Sequence, residues 1–329
     1  MKTYVLLGGA GVFAVHTAAY LLKSANPRKV ICVGRNILRS PAYTLDVGKG
    51  DDRYRYEQIH IVFEQDRLFE LLDKERPEVL INFAALAHST SWNKSWRYYD
   101  TNVTSLARIC EELMKRQYLE RFLQIGTSEL YGPTAAPAAE NAALVPTSPY
   151  AVSKMAGDLH LMSLWNVCKF PMNIIRPSNA YGPGQQLHRV LPRAVLCGLT
   201  GQKLPLEGGG KTKRSFIHAE DLARAIHSIC DRAPVGKLYN AGPSEPIGIC
   251  DLVAIVARQL KMSMSDLCDV VPGRTGEDNQ YWLDSALIKK DLGWEAQITL
   301  EEGVAEMIAW GRKYLELFRK DSTGYTLHA

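Results

Sequence analysis

The chain has 329 residues, of which 46% are hydrophobic and 22% charged, with a formal net charge of +4. That length supports two domains, or one large α/β unit with an appended lobe, and the balance is that of an ordinary globular protein. No long basic run or aromatic-interleaved patch points to nucleic acid, and no segment is long and apolar enough to span a membrane, so neither is expected as a partner.

Taken in chain order, Lys2 and the apolar segment "TYVLLGGAGVFAVHTAAYLL" have the outline of a secretory signal. A glycine cluster interrupts that run, and a second strand-like run, "KVICVG", follows at strand-helix-strand distance, which favours a folded unit instead. Short apolar runs at 4–8, 29–33, 58–62, 78–84, 121–126 and 172–176 predict strands buried on both faces. Between them, 12–23, 66–75, 100–116 and 150–168 have helical spacing. Parallel strands need crossover helices, so the alternation predicts an α/β fold with a doubly wound parallel sheet.

After Arg176-Pro177 the texture changes to Gly, Pro and polar residues around 177–188 and 201–214. Helical segments near 189–200, 219–231, 249–260, 284–291 and 300–318 follow, with one strand-like run at 237–242. The expected organisation is a first domain over 1–176 and a smaller C-terminal α/β lobe over 177–318. Within that lobe, 215–242 is a candidate to return to the first domain, and 319–329 reads as a tail. Seven cysteines, with no CxxC pair and no close Cys/His cluster, argue against a metal site or redox pair. They fit reduced thiols in a cytoplasmic protein.

Gly8, Gly9, Gly11 and Ala14 form GGAGxxA between the first strand and a helix. Residues without a β-carbon permit the tight turn and the close approach of a pyrophosphate, which the amides of the helix start then receive. Gly8, Gly11 and the following Val12 and Phe13 are therefore cofactor-binding candidates, and 1–176 reads as a Rossmann-type dinucleotide domain. At the end of the second strand, where a NAD site usually has an acid, the chain reads Gly34-Arg35-Asn36. Loss of the acid removes repulsion with a 2′-phosphate and Arg35 can pair with it, so NADP is the expected cofactor, with NAD as the alternative.

"SPYAVSK" places Tyr150 and Lys154 four apart on one helix face. A phenol with a pKa of about 10 is a poor base until a neighbouring ammonium and a positive nicotinamide lower it. Tyr150 is thus the candidate base for a hydroxyl that loses hydride, and Lys154 its tuner.

The same chain carries "FAALAH" (83–88), Asn102 in "TNV", "GTSELYG" (126–132), "RPSNAYGPG" (176–184), "GGGKTKRSFIHAEDLARAI" (208–226) and "LDSALIKKDLGW" (283–294). Over nearly its whole length it resembles the extended short-chain dehydrogenase/reductase family, in its sugar-nucleotide epimerase/dehydratase branch. The resemblance implies that Thr127 hydrogen-bonds the sugar O4, that Tyr150 and Lys154 also contact the cofactor, and that Ala84 and Ala85 line its site. Asn179, Arg214 and Arg274 match the contacts to the substrate's diphosphate and nucleotide, and His88 matches a position close to the sugar or nicotinamide.

Thr127-Ser128-Glu129 resembles GDP-mannose 4,6-dehydratases and also UDP-glucuronate decarboxylases; dTDP-glucose 4,6-dehydratases usually have Thr-Asp-Glu. Glu129 is the natural base for the C5 proton once C4 is a ketone. Ser128 is too weak an acid to replace Asp, so Glu129 is also assigned delivery of the proton to the C6 hydroxyl.

The expected function is a nucleotide-sugar 4,6-dehydratase acting on a nucleotide-diphosphate sugar. A UDP-glucuronate decarboxylase, a 4-epimerase and a catalytically idle nucleotide-binding subunit are the rivals. A homodimer packed through 100–116 and 150–168 is the assembly that the resemblance implies. Two departures stand out: the acid expected near "HIVFEQD" for an adenine contact either gives way to His60-Ile61 or is displaced to Glu64 or Asp66, and 89–99 is unusually aromatic.

Overall fold

The computed structural model describes residues 1–37, 40–87, 94–273 and 280–320. Seven strands, all parallel, form the main sheet: β1 (Thr3–Leu7), β2 (Lys29–Gly34), β3 (Tyr54–Gln58), β4 (Val79–Asn82), β5 (Arg121–Ile125), β6 (Met172–Pro177) and β7 (Leu238–Ala241). Their spatial order is β7-β6-β5-β4-β1-β2-β3. The order reverses beside β1, and in such sheets the crevice outside the strands' carboxyl ends at that point receives ligands. Helix α1 (Val12–Ser24) joins β1 to β2, α2 (Gln65–Glu75) joins β3 to β4, α3 (Ser105–Met114) precedes β5, and α4 (Pro149–Cys168) lies between β5 and β6.

Burial explains why these runs are strands. Val5, Leu6 and Leu7, and Val30 to Val33, are fully covered because helices pack on both faces of the sheet. On one face Leu6, Ala14, Leu21 and Cys32 pack with Leu222, Ile226 and Ile229 of α6 (Ala219–Arg232); on the other Val5, Ile31, Leu68, Ile109 and Leu161 form a second layer.

The third strand departs from expectation: it spans Tyr54–Gln58 and not 58–62. As the sheet's edge it needs only one apolar face. Tyr54 and Tyr56 pack on the core, while Arg55 pairs with Glu57 (2.7 Å) and Glu75 (3.0 Å). Ile59 and Ile61, which suggested a strand, are buried in the connection to α2. The helix expected over 100–116 opens with one wide π-helical turn, Asp100–Thr104, before α3 begins.

The C-terminal residues build a separate core. Leu191 and Val195 of α5 (Val190–Thr200), Leu252 and Val256 of α7 (Ile249–Leu260), and Val304 and Met307 of α8 (Leu300–Lys313) pack together with Leu204 and Leu206. The segment 237–242 leaves this lobe, and as β7 it pairs with β6 in the main sheet. The helix expected over 300–318 divides at Tyr314, with a short turn of helix from Leu315 to Phe318.

Candidate active site

The carboxyl ends of β1, β4 and β5 and the first turns of α1 and α4 meet at one edge of the sheet. Gly8 has φ of +76°, and a β-carbon there would lie 2.7 Å from the amide nitrogen of Ala84. The turn after β1 is therefore pressed against the chain leaving β4. Gly11 caps α1 without any side-chain hydrogen bond, which leaves the helix start open to an anion. These features have the chemistry to receive a dinucleotide pyrophosphate, and Gly8, Gly11, Val12, Phe13, Ala84 and Ala85 are the residues at this edge that could hold it.

β5 ends at Ile125-Gly126, and Thr127 follows in extended backbone (φ −158°), capping the single helical turn Ser128–Tyr131. Its hydroxyl accepts the Glu129 amide at 3.3 Å. Thr127 and Ser128 are buried; Glu129 is half-buried. Opposite them α4 begins, with Ser148 accepting the Ala151 amide and Pro149 in its first turn. This start places Tyr150 against Thr127, and one turn on Lys154, 3% exposed, donates from Nζ to the Ile125 carbonyl at 2.5 Å.

The electrostatics follow from this crowding. Burial pushes the Tyr150 phenol well above its usual value and the Glu129 carboxylate adds to the rise; the Thr127 hydrogen bond and the Arg189 guanidinium oppose it. Burial brings Lys154 down to about 8, against the pull of Asp158. Tyr150 is thus protonated until a positive charge arrives beside it. A bound nicotinamide supplies such a charge.

The site rests on a buried polar chain that the sequence reading did not assign. Arg176 Nε donates to Asp158 Oδ2 (2.9 Å) and its terminal nitrogen to the Tyr131 hydroxyl (2.8 Å); that hydroxyl donates to Asn240 Oδ1 (2.8 Å). Asp158 is fully covered, and its Oδ1 accepts no hydrogen bond. Asn102, quoted above only as part of a motif, bonds both the amide and carbonyl of Leu86 and donates to Ser153 Oγ at 2.9 Å. Ser153 Oγ in turn donates to the Tyr150 carbonyl at 2.7 Å. Asp158 had a readable signal, since it lies four residues beyond Lys154 on the same helical row.

The other expected residues fall in three places. Asn179 lies in a short strand, Asn179–Tyr181, paired with Phe216–His218, and its amide donates to the Ser215 carbonyl. That pairing brings Asn179 close to Arg214, which is buried and donates to the Lys213 carbonyl at 2.8 Å. Arg35 is exposed at the end of β2. His88 and Arg274 lie outside the described residues. His16 is held to the Pro183 carbonyl at 2.9 Å, and burial lowers its pKa to about 4. Among the described residues no group of three metal-ligating side chains occurs, and no helix is long and apolar enough to cross a membrane.

Residues 4–242 match the model of the NAD dependent epimerase/dehydratase family. The chain belongs to that family. Among its relatives is a trifunctional UDP-glucose 4,6-dehydratase/3,5-epimerase/reductase of Arabidopsis thaliana, 27% identical over 94% of this chain. The chain spans only 47% of that relative's length. A dTDP-glucose 4,6-dehydratase of Neisseria gonorrhoeae is 29% identical over 94% of this chain and 95% of its own.

Among solved structures, dTDP-glucose 4,6-dehydratase from Streptomyces venezuelae with NAD bound superimposes with a TM-score of 0.88 at 27% identity, covering 96% of this chain and 98% of that one. A Bacillus cereus UDP-glucuronic acid 4-epimerase at 22% identity, covering 94% of this chain and 99% of its own, shares the fold with a TM-score of 0.85. The two dTDP-glucose 4,6-dehydratases from Bacillus anthracis and Streptomyces venezuelae and the Bacillus cereus epimerase were solved with NAD, so the expectation of NADP as primary cofactor finds no support in them. The physical reason is that Arg35 is exposed: its charge is screened by water and is no proof of a 2′-phosphate.

Proposed function

We propose that the protein is a nucleotide-sugar 4,6-dehydratase, converting an NDP-hexose into an NDP-4-keto-6-deoxyhexose with bound NAD. The observation that carries this reading is Glu129. It sits two residues beyond Thr127, in the turn facing α4, close enough for its charge to act on the Tyr150 phenol.

Thr127 and Tyr150 address the C4 hydroxyl, and Tyr150 takes its proton. Lys154, held by the Ile125 carbonyl, supports the phenolate. When bound, the cofactor supplies a hydride acceptor for C4 and a hydride donor for C6. With C4 a ketone, the C5 proton is acidic and Glu129 removes it; Glu129 then gives a proton to the departing C6 hydroxyl, so that water leaves, and C5 regains a proton from solvent once hydride has returned to C6. Asn179 and Arg214, drawn together by the strand pairing, are proposed to hold the diphosphate.

The decisive experiment offers a panel of nucleotide sugars in deuterated water and follows the products by mass spectrometry. A dehydratase loses water and gains one deuterium at C5. Epimerised hexose without loss of water would refute the reading. Release of carbon dioxide would favour a UDP-glucuronate decarboxylase instead, a reading that the Thr127-Ser128-Glu129 triplet and Arg189, a cation acting on Tyr150, also support.

The proposed assembly is a homodimer. Leu159, Met162 and Val167 on α4 and Met114 on α3 are exposed, with Trp96 and Tyr99 nearby in sequence to α3. Light scattering after gel filtration tests it; a monomer at micromolar concentration would refute it.

A further inference from the structure

The proposed cofactor reading leaves a question at the adenosine end, where β2 ends in Gly34 without an acid. The neighbouring strand supplies an answer. In the β2–β3 ladder Tyr56 pairs with Cys32, and its ring turns toward the core beside Tyr54. Its hydroxyl reaches past the end of β2 and donates to the Asn36 carbonyl at 2.5 Å. Gln58 Nε2 donates to the Arg35 carbonyl at 3.2 Å, so two side chains of β3 pin the segment after Gly34.

A β-carbon at position 34 would lie 2.6 Å from the Tyr56 hydroxyl, a distance that real contacts essentially never show. The next nearest atoms are ring carbons at 3.4 Å, an ordinary contact. The phenol oxygen is thus the atom that a β-carbon there would crowd. Burial and the nearby Cys32 push that phenol up to about 12, so it stays neutral at working pH.

A carboxylate at the end of β2 performs two tasks in a NAD site: it accepts from the ribose hydroxyls and repels a 2′-phosphate. A neutral phenol performs only a weak version of the first. Among the described residues the neighbouring carboxylates are engaged elsewhere, Glu57 with Arg55, and Glu64 with Arg67 and the His60 amide. The Arg35 charge acts on His60 across this edge. Arg35 attracts a 2′-phosphate, but in water that attraction is weak.

We propose that Gly34 leaves the adenosine ribose site without an acid, so that the protein accepts NAD and NADP with similar affinity, and that the Tyr56 hydroxyl, 2.6 Å from where a β-carbon at position 34 would lie, keeps a carboxylate out of that position.

Titration calorimetry of the full chain with NAD⁺ and with NADP⁺ tests this, after exchange of any co-purified dinucleotide, in the wild type, Tyr56→Phe, Gly34→Asp and the double variant. The wild type should bind both within about tenfold of each other, and Tyr56→Phe should keep that ratio. Gly34→Asp alone should weaken both by about tenfold or more, because the new side chain meets the phenol oxygen. Adding Tyr56→Phe should restore NAD⁺ binding while NADP⁺ stays weaker by about a hundredfold.

A wild-type preference beyond about tenfold in either direction overturns the proposal, and this readout needs no variant to fold. So does a Gly34→Asp protein whose affinities are the same with and without the Tyr56 hydroxyl. Failure of the wild type to bind either dinucleotide would refute the cofactor reading itself, a different result from loss of the ratio.

Discussion

The ends of β5 and β2 belong to one sheet but are built by opposite means. Beyond β5, Thr127, Tyr150 and Lys154 are crowded between two strands and a helix, and a buried chain runs from Asp158 through Arg176 and Tyr131 to Asn240. Beyond β2, the chain passes to exposed Arg35 and Asn36 over an edge strand, with two hydrogen bonds from Tyr56 and Gln58 to hold it. A reacting centre needs each group held within tenths of an ångström, which burial and multiple partners provide. A ribose contact at a sheet edge tolerates other solutions, and the proposed one in this chain has no acid at position 34.

If the comparison is right, the largest effect comes from the crowded end. Tyr150→Phe should lower turnover by about 10³-fold or more, with dinucleotide affinity changed little, as steady-state assays and calorimetry would show. A variant that keeps a tenth of the activity would remove Tyr150 from the proton transfer.

Next comes the buried pair. Arg176→Met removes the hydrogen-bonded partner of the fully covered Asp158 carboxyl, and should cost about 3–5 kcal/mol in urea unfolding. Adding Asp158→Leu should recover most of that loss, since neither charge then needs the other. Equal losses in both proteins would mean that packing of the Arg176 stem, not its charge, matters there.

Glu129→Gln should reduce overall turnover by about 10²-fold while C4 oxidation still shows as transient reduced cofactor at 340 nm, an absorbance set by the nicotinamide ring. Unimpaired turnover would take Glu129 out of the elimination.

A smaller effect concerns pH. Lys154 ionises near 8 in the folded chain and near its ordinary value of about 10.4 when unfolded. Between those values the unfolded chain binds more protons, so this residue makes stability rise with pH over that window. Lys154→Met should abolish the rise, as melts at pH 8 and pH 10 would reveal. The smallest change belongs to the open edge: Arg55→Ala, which removes the surface pair to Glu57 and the contact to Glu75, should cost about 1 kcal/mol or less in the same unfolding assay.

The alternation of apolar runs and helical spacing was legible because parallel strands covered on both faces must be continuously apolar. It failed at β3, where an edge strand reads Tyr-Arg-Tyr-Glu-Gln and the apolar Ile59 and Ile61 fall in a turn. Around the site, the glycine turn, Thr127, Tyr150 and Lys154 lie in short local patterns whose chemistry depends on spacing alone. Arg176 and Asn240 lie 64 residues apart in sequence, in neighbouring strands, and nothing local to either announces the partner.

The sequence by itself determined which side chains are available to the chemistry: a phenol and an ammonium one helical turn apart, a hydroxyl and a carboxylate at a strand end, and glycines before a helix. Only the tertiary structure decided their protonation and their company. Burial drives Tyr150 up and Lys154 down, β7 returns to carry Asn240 to Tyr131, and the Tyr56 hydroxyl lies where it would crowd a β-carbon at position 34. Each of these depends on atoms brought together across the sheet, where desolvation and excluded volume act on distance in space and not on distance along the chain.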